Sequence, residues 1–276
     1  MAVKTVLAAT VVIVFLIVAG VIAYYYPRLL NISPSASPTP TPTSGPTLTP
    51  TPTSASLQTP VDQASLNWAG YAVAYNFSDP QPLVTGASGS WIVPQVQVSQ
   101  NDTFSAIWVG IGGTFGQTLI QAGTEQDSIS GGASYSAWYE LLPFDSVTIA
   151  GMDISPGDTI TTSISLVNSA LNVWSINIGD LTTGQNFSQD LFYGSSRLSA
   201  EWVVERPDIN GALSQIADFE SVTFSNCTAT VNNQIAAFGY FPSTRDFMYN
   251  MKGNRLVDVS SYFNNGSSFT ATYLKS

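Results

Sequence analysis

Short segments of alternating apolar and polar residues run through the chain from about Leu66 to its end, separated by Gly, Pro, Asn and Asp. In residues 159–167, for example, Ile160, Ile164 and Leu166 share one side of an extended chain, and Ser and Thr mostly occupy the other. No long stretch has the 3.6-residue period of an amphipathic helix. We predict strands at 90–93, 105–111, 118–121, 135–141, 159–167, 172–178, 200–205, 221–224, 235–240 and 268–273. So many short strands with polar turns are typical of an all-β fold, a two-sheet antiparallel β-sandwich or jelly roll.

An uncharged run of 21 residues, Val6–Tyr26, lies near the amino terminus. It is long enough to cross the ~30 Å hydrocarbon core of a bilayer as a helix, and longer than the core of about 7–15 residues in a cleaved signal peptide. The cluster Tyr24–Tyr26 is typical of an interfacial aromatic anchor. We therefore predict that residues 1–31 form one transmembrane helix that anchors the protein in the cell membrane, with secretion after cleavage as the alternative.

Residues 32–60 alternate Pro with Ser and Thr, a composition that favours extended polyproline II and offers no apolar core. We predict a Ser/Thr/Pro-rich stalk there and a folded domain over residues 61–276. Six sequons support export and a glycoprotein with an extracytoplasmic domain; they begin at Asn31, Asn76, Asn101, Asn186, Asn226 and Asn265.

The charge balance and the missing residue types exclude several classes of function. Residues 61–276 hold six basic and all 18 acidic residues, a net charge of −12, which excludes the basic patches that nucleic-acid binding requires. The chain has no His, and Cys227 is its only cysteine, so intrachain disulfides, Ser-His-Asp or Cys-His nucleophiles and His-based zinc sites are excluded. We expect no metal and no cofactor. A surface with few charges also suits a protein that works at low pH.

Three of the five glutamates lie in predicted strands. The period of two puts Glu201 and Glu205 on one face with Val203 between them, while Trp202 and Val204 point into the core. Trp138 and Glu140 likewise share a face. A sheet face with these residues resembles the concave, ligand-binding side of a sandwich, although a solvent-facing surface with ordinary acids gives the same pattern.

Seven short motifs then occur in one order: Asn67-Trp-Ala-Gly, Trp91-Ile-Val-Pro, Trp108-Val-Gly-Ile, Ile120-Gln-Ala-Gly, Ala137-Trp-Tyr-Glu, Ala200-Glu-Trp-Val-Val-Glu and Ile216-Ala-Asp-Phe. Together they resemble the glutamic peptidase (eqolisin) family over roughly residues 67–224. The resemblance implies a concanavalin-like antiparallel β-sandwich, which agrees with the strand pattern.

The resemblance also implies roles for individual residues. Its catalytic Gln matches Gln121 and its catalytic Glu matches Glu205, with Glu201 as the alternative bearer. Other matching residues are implied to surround the cleft: Trp68, Trp108, Trp138, Glu140 and Glu201. The family commonly has Asp where this chain has Gly112, which makes a supporting polar contact doubtful.

Peptide hydrolysis requires a base for the attacking water and a donor for the developing oxyanion. A carboxylate with an unperturbed pKa of about 4.3 stays partly ionised near pH 3–4, where a histidine is protonated. Glu205 is the candidate base and acid, and Gln121 is the candidate water-orienting group and oxyanion donor. We expect a monomeric, acid-acting endopeptidase whose substrates are unfolded proteins or peptides.

Two other functions remain open from the residues alone. A retaining glycosidase needs two acids about 5–5.5 Å apart, whereas Glu201 and Glu205 are ~13 Å apart along a strand, so Glu140 would have to take part. A carbohydrate-binding or surface module on a stalk also fits, but it gives Gln121 no role.

Overall fold

The computed structural model describes residues 56–275, and strands dominate this range. The predicted anchor of residues 1–31 and nearly all of the predicted stalk lie outside the described residues. Between residues 56 and 275, the structure contains no helix with the length and apolar character needed to cross a bilayer.

The described chain forms strands in this order: β1 Val61–Ser65, β2 Trp68–Ala74, β3 Val84–Ile92, β4 Ala106–Ile111, β5 Ile120–Ile129, β6 Gly132–Leu141, β7 Val147–Thr148, β8 Thr159–Asn168, β9 Val173–Asp180, β10 Asn186–Phe192, β11 Ser199–Glu205, β12 Asp208–Ile209, β13 Ala212–Leu213, β14 Ser221–Val231, β15 Gln234–Ala237, β16 Ser243–Tyr249, β17 Arg255–Val259 and β18 Phe269–Tyr273. One 3₁₀ turn, Phe238–Tyr240, follows β15.

Two sheets share the strand β14. The order β16-β2-β11-β4-β5-β6-β7 forms the first sheet, with β1 on the free side of β16, and the order β10-β9-β8-β3 forms most of the second. Residues 221–224 of β14 pair with β18, which connects through β17 to the first sheet, and residues 225–231 pair with β3 in the second. The all-β architecture is as predicted.

One pairing departs from the antiparallel expectation. Strand β1 pairs with β16 in parallel, from Val61 opposite Thr244 to Ser65 opposite Met248. The chain then crosses the end of β16 and returns as β2 along its other side, where the pairing is antiparallel. The chain reverses direction at Leu66–Asn67, so β1 and β2 run in opposite directions on the two sides of β16. Because β2 is antiparallel to β16, β1 is parallel to it.

The alternation of side chains separates two apolar clusters, one on each face of the first sheet. The main core contains Trp91, Trp174 and Trp202, which are at most 1% exposed; for Trp202 the strand pattern predicted this. The other face carries a smaller cluster formed by Ala106, Trp108, Leu119, Trp138 and Val203. This second cluster is the floor on which the polar site lies.

Candidate active site

The floor of the site is a row of paired residues that crosses β11, β4, β5 and β6. Val203 pairs with Trp108, Trp108 with Gly123, and Gly123 with Trp138. The glycine in this row is required by close packing, because a Cβ at residue 123 would lie 2.0 Å from the Ile107 carbonyl oxygen. Trp108 and Trp138 therefore flank β5 at Gly123, and no side chain of β5 separates the two rings.

Glu205 lies at the end of β11 and receives two hydrogen bonds. Trp108 Nε1 donates to Oε2 over 2.8 Å, and Asn67 Nδ2 donates to Oε1 over 3.2 Å. Trp68, on the neighbouring strand β2, packs edge-on against Trp108 with ring centroids 5.1 Å apart. The carboxyl group is thus held in one orientation by residues from β2, β4 and the turn before β2.

Burial and, to a smaller extent, the negative charge of Glu140 together raise the pKa of Glu205 to about 7. The hydrogen bonds from Trp108 Nε1 and Asn67 Nδ2 oppose this rise. The expectation of an unperturbed carboxylate is therefore wrong for this site. Near pH 3–4 the carboxyl of Glu205 carries a proton in most molecules, because desolvation outweighs the hydrogen bonds to the ionised form.

Gln121 and Glu140 form the other polar pair of the site. They lie opposite each other on β5 and β6, and Gln121 Nε2 donates a hydrogen bond to Glu140 Oε2. Burial raises the pKa of Glu140, and the Gln121 bond opposes that shift. The Gln121 side chain is buried, and its Oε1 has no hydrogen-bond partner within the protein.

One cavity of about 610 Å³ joins these groups. Its polar and aromatic wall is formed by Asn67, Trp68, Phe104, Gln121, Glu125, Asp127, Trp138, Glu140, Ser146, Glu205 and Asp208. No Lys or Arg of the described chain lines it. Three buried polar atoms of this wall have no protein partner, namely Gln121 Oε1, Trp68 Nε1 and Trp138 Nε1. Since unpaired buried polar groups are costly, their convergence indicates a place for a polar ligand.

Glu201 lies outside this cavity. Its side chain is fully buried, and its Oε1 accepts hydrogen bonds from Thr114 N over 3.2 Å and from Thr114 Oγ1 over 2.9 Å. Burial raises its pKa. Glu201 therefore fixes the loop after β4 and does not face the groups around Glu205.

Gly112, at the start of the same loop, has a φ of +115°. A Cβ at this position would lie 2.6 Å from the Thr118 carbonyl oxygen. The backbone of this chain therefore requires glycine at the position where the resemblance leads one to expect Asp.

Sequence reasoning missed several polar residues near the site. Glu125 and Asp127 follow Gln121 at a period of two on β5, so extending that strand beyond Gln121 would have found them. Burial raises the pKa of Asp127 to about 7, and the charge of Glu125 contributes. Asn67 was present in a motif, but its bond to Glu205 depends on pairing between distant strands. No three His, Cys, Asp or Glu side chains in residues 56–275 are grouped as metal ligands.

Comparison with known proteins gives relatives of one kind. The chain is 30% identical to Aspergillopepsin-2 of Aspergillus niger over 238 residues, covering 77% of this chain and 79% of that protein. It is 32% identical to Scytalidopepsin B of Scytalidium lignicola over 139 residues, covering 46% of this chain and 52% of that protein.

Solved structures show the same relationship. Scytalido-glutamic peptidase with a transition-state analog inhibitor matches with a TM-score of 0.63 at 23% identity, over 76% of this chain and 98% of that one, and this likeness concerns the fold. The aspergilloglutamic peptidase from Aspergillus niger matches with a TM-score of 0.54 at 30% identity, over 62% and 99% of the two chains. The sequence model of the Peptidase A4 family matches residues 66–273. This chain therefore belongs to the Peptidase A4 family, the glutamic peptidases.

Proposed function

We propose that this chain is an endopeptidase that works on the acid side of neutrality, with Glu205 as general base and acid and Gln121 as oxyanion donor. The observation that carries the proposal is the cavity of about 610 Å³, which both side chains line and in which Gln121 Oε1 has no protein partner. Membership of the Peptidase A4 family supports the reaction class.

The base must be ionised to remove a proton from water. Burial and, to a smaller extent, the charge of Glu140 hold the pKa of Glu205 at about 7. In the proposed active form Glu205 is ionised, and the ionised fraction grows as pH rises through the acid range. We expect activity to increase with pH up to about 7.

In the proposed reaction, the water oxygen attacks the carbonyl carbon of the scissile peptide, and a water proton passes to Glu205. The carbonyl oxygen becomes an oxyanion, to which Gln121 Nε2 donates its second N–H. The C–N bond then breaks as Glu205 returns the proton to the leaving nitrogen. The products are a carboxylic acid and an amine, and Glu205 ends as it began.

The aromatic wall supplies substrate orientation in this proposal. Trp68 and Trp138 offer apolar faces together with unpaired indole N–H groups, so they can contact side chains of the peptide and donate to its carbonyl groups. Trp108 is fully buried and acts through its bond to Glu205.

The glycosidase and binding-module alternatives receive less support. A glycosidase would have to pair Glu205 with Glu140 across the cavity; Glu140 instead accepts the Gln121 amide, which such a reaction does not use, and the Peptidase A4 family match favours peptide hydrolysis. A binding module would not require an amide and a carboxyl group on one cavity, whereas amide-bond hydrolysis uses both.

We also propose that residues 1–31 anchor the protein in the cell membrane, with the peptidase domain outside the cytoplasm at the end of the stalk. The uncharged run Val6–Tyr26 and the sequons support this location. Fractionation of cells with and without carbonate extraction tests the anchor, and recovery of the protein in the soluble fraction would contradict it.

The function is tested with the purified full chain in detergent and an unfolded protein substrate from pH 2 to 8, with wild type and Glu205→Gln compared. We expect cleavage below neutral pH by the wild type and none by the variant. Equal cleavage by a folded Glu205→Gln protein would remove Glu205 from the mechanism. Absence of cleavage by the wild type at every pH would contradict the peptidase assignment.

A further inference from the structure

Strand β1 lies ahead of residues 66–273, which the family model matches, yet it forms part of the described domain. It pairs along its whole length with β16. On one side of this ladder, Arg245 binds both carboxylate oxygens of Asp62 at 2.8 Å. At its end, Ser65 Oγ accepts hydrogen bonds from the backbone N–H groups of Asn67 and Trp68, at 3.3 and 3.0 Å. This strand is therefore a fixed addition ahead of the residues that the family model matches.

A second cavity, of about 290 Å³, opens between β1 and the loop after β4. Gln63 and Ser65 of β1, Thr114 of the loop and Asp246 of β16 line it. Asn67 and Trp68 line this cavity and also the larger one that contains Glu205. The two cavities thus share two lining residues, and one of these, Asn67, donates to the candidate base.

The chemistry of the second cavity suits a peptide. Its wall offers the amides of Gln63 and Asn67, the hydroxyls of Ser65 and Thr114, and the carboxyl of Asp246, which is 8% exposed. These groups can pair with the N–H and C=O groups of an extended backbone and with a polar side chain. Ala64 and Trp68 supply its apolar lining, so a polar side chain finds more partners there than a long apolar one.

The register of the strands gives the length of peptide that reaches this cavity. Gln63 pairs with Asp246, Asp246 with Gly70, and Gly70 with Val203 of β11, the strand that carries Glu205. Three strand spacings separate β1 from β11, about 14 Å. An extended chain covers this span in roughly four residues at ~3.3 Å per residue.

We propose that β1 and this second cavity form an additional substrate subsite, which binds the backbone and a polar side chain about four residues from the scissile bond. The subsite deepens the proposed peptidase function and rests on it. It makes longer segments of unfolded polypeptide better substrates than short peptides, because the added hydrogen bonds require the longer chain.

The test measures binding by the full chain in the Glu205→Gln background, so that turnover does not interfere. Fluorescein-labelled peptides from one unfolded protein segment are nested from five to about twelve residues, with truncation at either end. Their Kd values come from fluorescence anisotropy. Gln63→Trp fills the subsite, Gln63→Ala removes its amide with less risk to folding, and Gln189→Ala on exposed β10 is the matched control.

We expect extension by about four residues at one end to lower Kd about tenfold, since two hydrogen bonds of typical net strength give roughly this factor. Both Gln63 variants should lose most of this gain, and Gln189→Ala should keep it. An equal gain in the Gln63 variants, or no gain from extension at either end, would overturn the subsite.

The subsite and the catalytic proposal fail separately. Hydrolysis of the same peptides by the wild type, with extension gains unaffected by Gln63, would leave the peptidase function intact and remove the subsite. Extension gains that depend on Gln63, without hydrolysis of any peptide by the wild type, would support the subsite and contradict the catalytic assignment.

Discussion

Trp108 Nε1 donates to Glu205 Oε2 at 2.8 Å across the boundary between β4 and β11. The bond favours the ionised carboxylate, so its loss should raise the pKa of Glu205. We expect Trp108→Phe to shift the acid limb of kcat/KM to higher pH by about one unit, because hydrogen bonds to charged groups typically contribute about 1.5–3 kcal/mol. Trp138→Phe is the control, since the Trp138 indole N–H has no partner in the protein. An acid limb of kcat/KM at the same pH in wild type and Trp108→Phe would contradict the role of this bond.

Glu140→Gln should shift the acid limb in the opposite direction. The negative charge of Glu140 raises the pKa of Glu205, and removing that charge lowers it. The ionised base then persists to lower pH, by a fraction of a unit, because this charge is the smallest contribution to the pKa shift. A pH profile of kcat/KM measures the shift. A limb that moves to higher pH would contradict the effect of this charge on Glu205.

Gln121→Ala should lower kcat about 10²- to 10³-fold, the usual effect of removing one oxyanion donor. The fold should persist, because Gln121 bonds only to Glu140 on the adjacent strand. Single-turnover kinetics measure the chemical step, and circular dichroism checks the fold. A folded variant with wild-type kcat would exclude Gln121 as the oxyanion donor.

The stability of the domain should fall as pH rises through the acid range. Burial raises the pKa of Asp246 from 3.8 to about 6, helped by the charge of Glu201. The folded state thus binds this proton more tightly than the unfolded state. Its contribution is fully present below about pH 4 and is lost as pH rises through about 6. Asp246 alone corresponds to roughly 3 kcal/mol, at about 1.4 kcal/mol per unit of pKa.

Thermal melting of wild type and Asp246→Asn at pH 3.5 and 7.5 tests this linkage. We expect the wild type to melt at a lower temperature at pH 7.5, and the variant to show a smaller difference between the two pH values. The same pH dependence in both proteins would contradict the assignment to Asp246.

Gly112→Asp, the residue that the family resemblance favours, should destabilise this chain by roughly 1–3 kcal/mol. The backbone at this position has a φ of +115°, which is strained for any residue with a side chain. The new Cβ would also lie 2.6 Å from the Thr118 carbonyl oxygen. Urea unfolding measures the change. Gly113→Ala is a useful comparison, since it adds a Cβ 2.6 Å from the Trp68 ring without a positive φ. Unchanged stability in Gly112→Asp would mean that the loop relaxes.

Local patterns predicted the strands that carry the site. The period of two placed Glu201 and Glu205 on the face of β11 opposite Trp202. The strand register and the two apolar clusters confirm this placement. The pattern did not predict β1, β2, β10, β16 or β17, and β2 and β16 show why. All but the first residue of β2 are buried, so apolar and polar residues do not alternate there, and β16 mixes polar and apolar residues on both faces.

The contacts of the site could not be predicted from local pattern. Asn67 and Glu205 are 138 residues apart in sequence, and Asp246 faces the second cavity only because β16 lies between β1 and β2. The pKa of Glu205 was also missed, since burial depends on how the sheet is covered. The contacts of the site thus depend on pairing between distant strands, and the pKa of Glu205 depends on desolvation; neither can be read from a local residue pattern.

Strand β14 also has a consequence for how the domain unfolds. Its first residues are hydrogen-bonded into one sheet and its later residues into the other. Removing β14 from one sheet also removes it from the other and exposes its buried apolar residues, including Phe224 and Ala229. Neither layer can therefore open alone at low cost, and amide hydrogens in β3 and β18 should exchange together, as one cooperative unit.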